Sequence, residues 1–158
     1  NAKGNNSNEK IKRCKRMKNE MKLIIPSCSE NERFARTVCA AFLLELDPTL
    51  EELSEIKTAV SEAVTNAIIH GYNSCDGQVE ITGEIIDRTV TYTIKDNGCG
   101  IEDIEKAREP LYTGKPDGAR SGMGFSIMEA FMDTLVVEST PGKGTAITMS
   151  KRLSDNVR

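Results

Sequence analysis

Eight of the 12 glycines in this 158-residue chain fall between positions 98 and 144. Glycine tolerates close backbone approach and left-handed conformations, so such a cluster marks chain that wraps something rather than chain that fills a core. Three glycine pairs stand out there. Asp96-Asn97-Gly98-Cys99-Gly100 follows a β-rich run, so a carboxylate ends a strand and leads into a flexible turn. Arg120-Ser121-Gly122-Met123-Gly124-Phe125 opens an apolar helical segment, where free backbone N–H groups suit phosphate. Gly142-Lys143-Gly144-Thr145 sits between two further β-rich runs. Upstream, Glu62 and Asn66 are spaced i, i+4 and share one face of a helix. Taken singly, each piece has a plainer reading: a solvated helix edge, an Asp-Asn-Gly turn or a hairpin turn. Neither a Walker A loop nor a G-x-G-x-x-G fingerprint in a βαβ unit is present.

The periodicity around these motifs gives an outline of the fold. Residues 21–27 read as a strand ending at Pro26. Ser29 with Glu32 has the form of a capping box, opening a helix whose apolar stripe is Phe34, Val38, Ala41 and Leu44. Asp47-Pro48 breaks it. Thr49 with Glu52 opens a second helix through Leu53, Ile56, Val60, Val64, Ala67 and Ile68, stopping near Gly71. Runs 79–86 and 89–94 form a hairpin across Asp87-Arg88, and 134–139 with 145–151 form another across Pro141–Gly144. Short helices are expected at 101–107 and 125–132. The order β-α-α-β-β-loop-α-β-β offers few parallel crossovers. It predicts an α+β two-layer sandwich, with helices on one face of a mixed, mainly antiparallel sheet.

Composition limits the function classes. With 38% hydrophobic residues, 4% aromatics and no Trp, the core must be largely aliphatic. No run of about 18 apolar residues occurs, so a membrane span is not expected. Five scattered cysteines without a C-x-x-C pair argue against a zinc site or disulfide framework and suit reduced thiols in the cytoplasm. The net charge of −3 is uneven: residues 1–22 hold eight basic and two acidic side chains, which leaves −9 for the other 136 residues. Residues 1–16 are expected to be a basic disordered extension, 17–153 the working domain and 154–158 a tail. An acidic domain argues against direct nucleic-acid binding.

In their order and spacing, Glu62-x-x-x-Asn66, Asp96-x-Gly98-x-Gly100, Gly122-x-Gly124 and Gly142-x-Gly144-Thr145 resemble the N-box and glycine boxes of the GHKL ATP-binding fold. Gyrase-type topoisomerases, Hsp90 chaperones, histidine kinases and MutL-type repair proteins share that fold. Ser61–Tyr72, Phe34-Ala35-Arg36, Lys115-Pro116 and Arg120–Phe125 resemble, more narrowly, the bacterial anti-sigma F serine kinases, and the likeness spans residues 17–153. The resemblance implies an ATP-dependent protein serine/threonine kinase that is also an anti-sigma factor. Its cofactors would be ATP and Mg2+. Glu62 would be the general base and Asn66 the Mg2+ ligand. Asp96 would read adenine with support from Thr145, and Gly98 and Gly100 would let the backbone close on the nucleotide. Ser121, Gly122, Met123 and Gly124 would form the phosphate-facing turn of a lid spanning roughly 104–123. Arg120 and Lys115 would meet the γ-phosphate. Glu32 and Arg36 would contact partners: a sporulation sigma factor in one state and, in another, an anti-anti-sigma antagonist phosphorylated on serine. A homodimer is implied as well. Two alternatives are a nucleotide-gated sigma-binding module without significant kinase activity and a detached histidine-kinase catalytic domain. His70, the only histidine, reads as a helix-terminal residue rather than a phosphoacceptor.

Overall fold

The computed structural model describes residues 18–72, 74–110 and 123–155. Among these residues five strands form one sheet: β1 (Lys18–Pro26), β2 (Gln78–Ile86), β3 (Thr89–Asp96), β4 (Thr134–Thr140) and β5 (Gly144–Arg152). Their spatial order is β1-β2-β3-β5-β4, and every neighbouring pair is antiparallel. The mainly antiparallel sheet expected from the element order is present, and among the described residues every pairing is antiparallel. Hairpins β2–β3 and β4–β5 account for two of the four pairings. In the β2–β3 turn, Asp87 takes the left-handed conformation (φ 55°) that a tight reversal demands.

Alternation along the strands separates the two faces. Val79, Ile81 and Ile85 of β2, Val90, Tyr92 and Ile94 of β3, and Ile147 and Met149 of β5 are all buried beneath the helices. The opposite face carries Lys22, Glu80, Glu84, Thr91, Thr93 and Thr148, at the polar steps of the same period-two pattern. Helices α1 (Asn31–Leu43) and α2 (Leu50–Thr65) cover the buried face, with α4 (Gly124–Phe131) packed beside α2. The remaining helix, α3 (Ile104–Arg108), is short and wholly partly or fully exposed.

The capping box expected at Thr49 is present, with Thr49 Oγ1 accepting from Glu52 N–H at 3.2 Å and Glu52 Oε2 accepting from Thr49 N–H at 2.9 Å. The one expected at Ser29 is not. Glu30 is the N-cap of α1, with no side-chain cap among the described residues, and the Glu32 carboxylate instead accepts from Ser61 Oγ at 2.5 Å. The buried stripe of α1 also differs from the expected one. Ala35, Cys39 and Leu43 point inward, followed by Leu46 in a short 3-10 turn (Leu44–Leu46), while Phe34 and Leu44 are 52% and 59% exposed. The small Ala35 and Cys39 thus face the core and the bulky Phe34 faces outward. Tyr92 fixes this packing: its hydroxyl donates to the Cys39 carbonyl at 2.7 Å in the core.

Helix α2 does not simply stop near Gly71. It widens into a π-helical segment, Asn66–Tyr72, that carries the chain to the end of β3. A π turn inserts an extra residue and re-aims the groups that follow, which is why such turns concentrate at functional sites.

Candidate active site

At one end of the sheet, three backbone segments meet at van der Waals limits. A Cβ on Gly98 would lie 2.0 Å from the Gly71 carbonyl oxygen, and one on Gly71 would lie 2.8 Å from Asp96 Oδ1. The first glycine box therefore packs directly on the end of the π segment. Cys99 N–H donates to the Gly71 carbonyl at 2.9 Å, and Gly142 N–H donates to the Cys99 carbonyl at 2.7 Å, so the β4–β5 turn closes the same corner. Gly144 approaches from β5 with φ 107°, a conformation L side chains rarely adopt, and a Cβ there would lie 2.1 Å from the Asp96 carbonyl oxygen. A side chain at Gly98 or Gly144 would force backbone apart, and one at Gly71 would press on the Asp96 carboxylate.

Asp96 lies at the centre of that corner and is 4% exposed. Burial pushes its carboxyl above the usual carboxylate range, and backbone hydrogen bonds from Gly98 and Thr145 pull partly the other way. Gly98 N–H donates to Oδ1 at 2.9 Å. Thr145 stands opposite Asp96 in the β3–β5 register, and its hydroxyl lies 2.8 Å from Ser139 Oγ. Ser139 is a site-shaping residue that no sequence motif marked. It also accepts from Ile101 N–H at 2.8 Å and donates to the Gly144 carbonyl at 3.0 Å, tying the chain after the first glycine box to the third. Tyr72, the last residue of the Ser61–Tyr72 motif, also shapes the site: its hydroxyl accepts from Asn97 N–H at 2.7 Å and donates to the Gln78 carbonyl at 2.7 Å.

The second part of the site lies one helical turn along α2. A Cβ on Gly124 would lie 3.0 Å from Glu62 Oε2 and 3.7 Å from both Asn66 side-chain polar atoms. The start of α4 therefore faces the N-box carboxylate and carboxamide together, with a gap that a single methyl group would fill. Glu62 and Asn66 are both half-buried, so they remain open to a ligand. A carboxylate, a carboxamide oxygen and a helix N-terminus in one cleft form a set suited to a phosphate-bearing ligand and a hard cation. Met123, the N-cap of α4, adjoins this cleft. Gly100 takes the left-handed conformation, with φ 72°. Lys115, Arg120, Ser121 and Gly122 lie outside the described residues, as does most of the expected lid. Its first part, α3, is joined to α4 by Arg108, whose Nε donates to Glu129 Oε1 at 2.9 Å.

The two expected partner residues lie across α1. Arg36 Nε is 3.8 Å from Glu32 Oε1, the oxygen that also accepts from Ser61. Ser61 immediately precedes Glu62, so the α1 surface is one hydrogen bond from the cleft. His70 lies within the π segment, and its carbonyl accepts from the Cys99 thiol at 2.9 Å.

A buried acceptor at the end of a strand, a glycine-lined corner and an N-box facing a helix N-terminus define an ATP-binding module of the histidine kinase-like type. The histidine kinase-like ATPase domain family matches residues 25–151. The catalytic domain of the histidine kinase ThkA shares the fold, with a TM-score of 0.55 at 17% identity over 85% of this chain and 96% of that one. So do the RsbU and RsbW domains of a Mycobacterium tuberculosis protein, with a TM-score of 0.65 at 20% identity over 89% of this chain and 34% of that one. Sequence similarity narrows the class. The chain is 56% identical over 139 residues to the anti-sigma F factor of Bacillus subtilis, covering 87% of this chain and 95% of the relative. It is 57% identical over 138 residues to that of Clostridium acetobutylicum, covering 87% and 96%. The chain belongs to the anti-sigma F factor family. Among the described residues, no helix is long and apolar enough to cross a membrane.

Proposed function

We propose that this protein is a cytoplasmic anti-sigma factor and ATP-dependent serine/threonine protein kinase. It sequesters a sporulation sigma factor and phosphorylates one serine of an anti-anti-sigma antagonist. The observation that carries the reading is the convergence of Glu62, Asn66 and Gly124 on one gap, beside the buried Asp96 corner. ATP with Mg2+ supplies the phosphoryl group. Asp96 accepts from the adenine amino group, an interaction guanine's carbonyl oxygen cannot replace, and Thr145 supports it. Asn66 holds Mg2+ through its carboxamide oxygen; among the described residues no cluster of three His, Cys, Asp or Glu side chains offers another metal site. The Gly124 end of α4, with Ser121, Gly122 and Met123, receives the phosphates on backbone N–H groups. Lys115 and Arg120 neutralise the γ-phosphate.

Glu62 accepts the proton of the incoming serine hydroxyl, and α2 itself holds this base one helical turn from the metal ligand Asn66. The exposed Phe34, flanked by Glu32 and Arg36, supplies an apolar contact with charged neighbours for a protein partner. The acidic balance of the domain favours protein over nucleic acid. A homodimer forms through the sheet surface near β1, where Ile24 is 51% exposed. Glu62→Ala tests the mechanism. Nucleotide affinity should hold while phosphate transfer to the antagonist falls about 10²–10⁴-fold. Undiminished transfer by Glu62→Ala would remove the carboxylate from the mechanism, and acid-labile phosphohistidine in place of acid-stable phosphoserine would move the chain to the histidine kinases.

A further inference from the structure

Cys28 and Cys75 are 47 residues apart in sequence, yet they are held side by side. The β1–β2 ladder continues past Pro26: Ser27 N–H donates to the Gly77 carbonyl at 2.9 Å, and Gly77 N–H donates to Ser27 Oγ at 3.1 Å. Ser27 Oγ also donates to the Ser74 carbonyl at 2.5 Å. Three bonds thus pin the start of the β1–α1 connection to the turn before β2, with one cysteine on each segment. The two thiols thereby lie close enough to perturb one another, Cys28 half-buried and Cys75 exposed. Neither sulfur has any part in the nucleotide site.

We propose that Cys28 and Cys75 are a redox-sensitive pair that closes to an intramolecular disulfide when the protein meets a peroxide. The roles within the pair follow from their surroundings. The neighbouring Cys75 thiol, with burial and the nearby charges of Glu30 and Asp76, pushes the Cys28 thiol up to about 11, so Cys28 keeps its proton. Cys75, at the exposed side, meets the oxidant. Its thiolate attacks one peroxide oxygen, the O–O bond breaks, and the leaving hydroxide takes a proton to become water. The Cys28 sulfur then attacks the resulting sulfenic acid. The S–S bond forms, the S–O bond breaks, and a second water leaves with the Cys28 proton. Two thiols lose two electrons and one peroxide gains them.

The bond would brace more than its own turn. Gly77 packs on the Tyr72 ring, where a Cβ would lie 2.3 Å from a ring carbon, and Tyr72 holds Asn97 beside Asp96. On the other side, Cys28 leads directly into α1. Oxidation therefore fastens the start of α1 to the wall of the Asp96 corner.

The test uses the full chain and hydrogen peroxide, and does not depend on the proposed kinase activity. Oxidation should remove two of the five free thiols, lower the intact mass by two hydrogens, and yield a peptide joining Cys28 to Cys75 that dithiothreitol separates. Tm should rise by about 5 °C or more, because the crosslink closes a long loop of the unfolded chain. C28S and C75S should each abolish that peptide and the Tm gain. Should either serine variant misfold, differential alkylation of the unaltered chain reads the same pairing. A bond from Cys75 to Cys14 or Cys99, sulfinic acid at Cys75 with Cys28 still free, or a crosslink that leaves Tm unmoved would each overturn the proposal.

Discussion

The two ends of the candidate site are built from different materials. Around Asp96 the walls are backbone against backbone: Gly98 on Gly71, Gly144 on Asp96. Around Glu62 the walls are side-chain ends, with 3.0–3.7 Å between them and the position a Gly124 Cβ would take. Backbone cannot yield without moving a strand or a helix, whereas a carboxylate can rotate aside. The Asp96 end is therefore rigid and suited to recognising one flat, invariant group. The Glu62 end is compliant and suited to groups that move during a reaction.

Gly98→Ala should separate the two ends most sharply. Its Cβ would fall 2.0 Å from a backbone oxygen, so unfolding free energy measured in urea should drop by about 3 kcal/mol or more. A loss below about 1 kcal/mol would mean the corner opens easily and the contrast is false.

Asp96→Asn comes next. It removes a charge rather than adding volume, so ATP affinity by calorimetry should fall about 10²-fold while stability is kept. Stability against pH gives a second readout. The folded pKa of Asp96 is raised, so the folded state holds the proton more tightly than the unfolded chain does. This group's contribution should then decline as pH rises from the unfolded value of about 3.9 to the folded value, and stay level above it. Tm profiles of Asp96→Asn should lack that decline; identical profiles would show that burial costs the carboxylate nothing. Glu52 has the opposite sign. Burial acts to raise its pKa, but hydrogen bonds from Ser154 and Thr49 overcome this and hold it low, so its contribution is lost as pH falls.

Gly124→Ala should have the smallest effect on folding. Its Cβ would meet the flexible end of Glu62, so stability should change by less than about 1 kcal/mol in either direction. Phosphate transfer should still fall about tenfold, because the displaced carboxylate is the proposed base. A Gly124→Ala protein as unstable as Gly98→Ala would erase the distinction between the ends.

Much of this architecture was legible in order and spacing. The strands, both hairpins and the Thr49 capping box follow from period-two alternation and local turn chemistry, which act over a few residues. Glu62 and Asn66 share a face because an α-helix places i and i+4 together in any context. The errors fell where distant chain competes for a group. Ser29 with Glu32 has the local form of a capping box, but Ser61, 29 residues away from Glu32, takes the carboxylate. Phe34 begins an apolar stripe by spacing alone, yet it is Ala35 and Cys39 that the packing of helices on the sheet buries.

The sequence by itself determined the local elements and the chemical inventory of the site: a carboxylate and carboxamide one turn apart, an acid ending a strand, and glycines at the turns. Only the tertiary structure decided which glycines are indispensable, how Ser139 and Tyr72 brace the corner, and that Cys28 lies beside Cys75. The physical reason is the range of the forces concerned. Dihedral preference and periodicity are written into neighbouring residues, whereas close approach, burial and hydrogen-bond competition depend on segments brought together only when the sheet and helices pack.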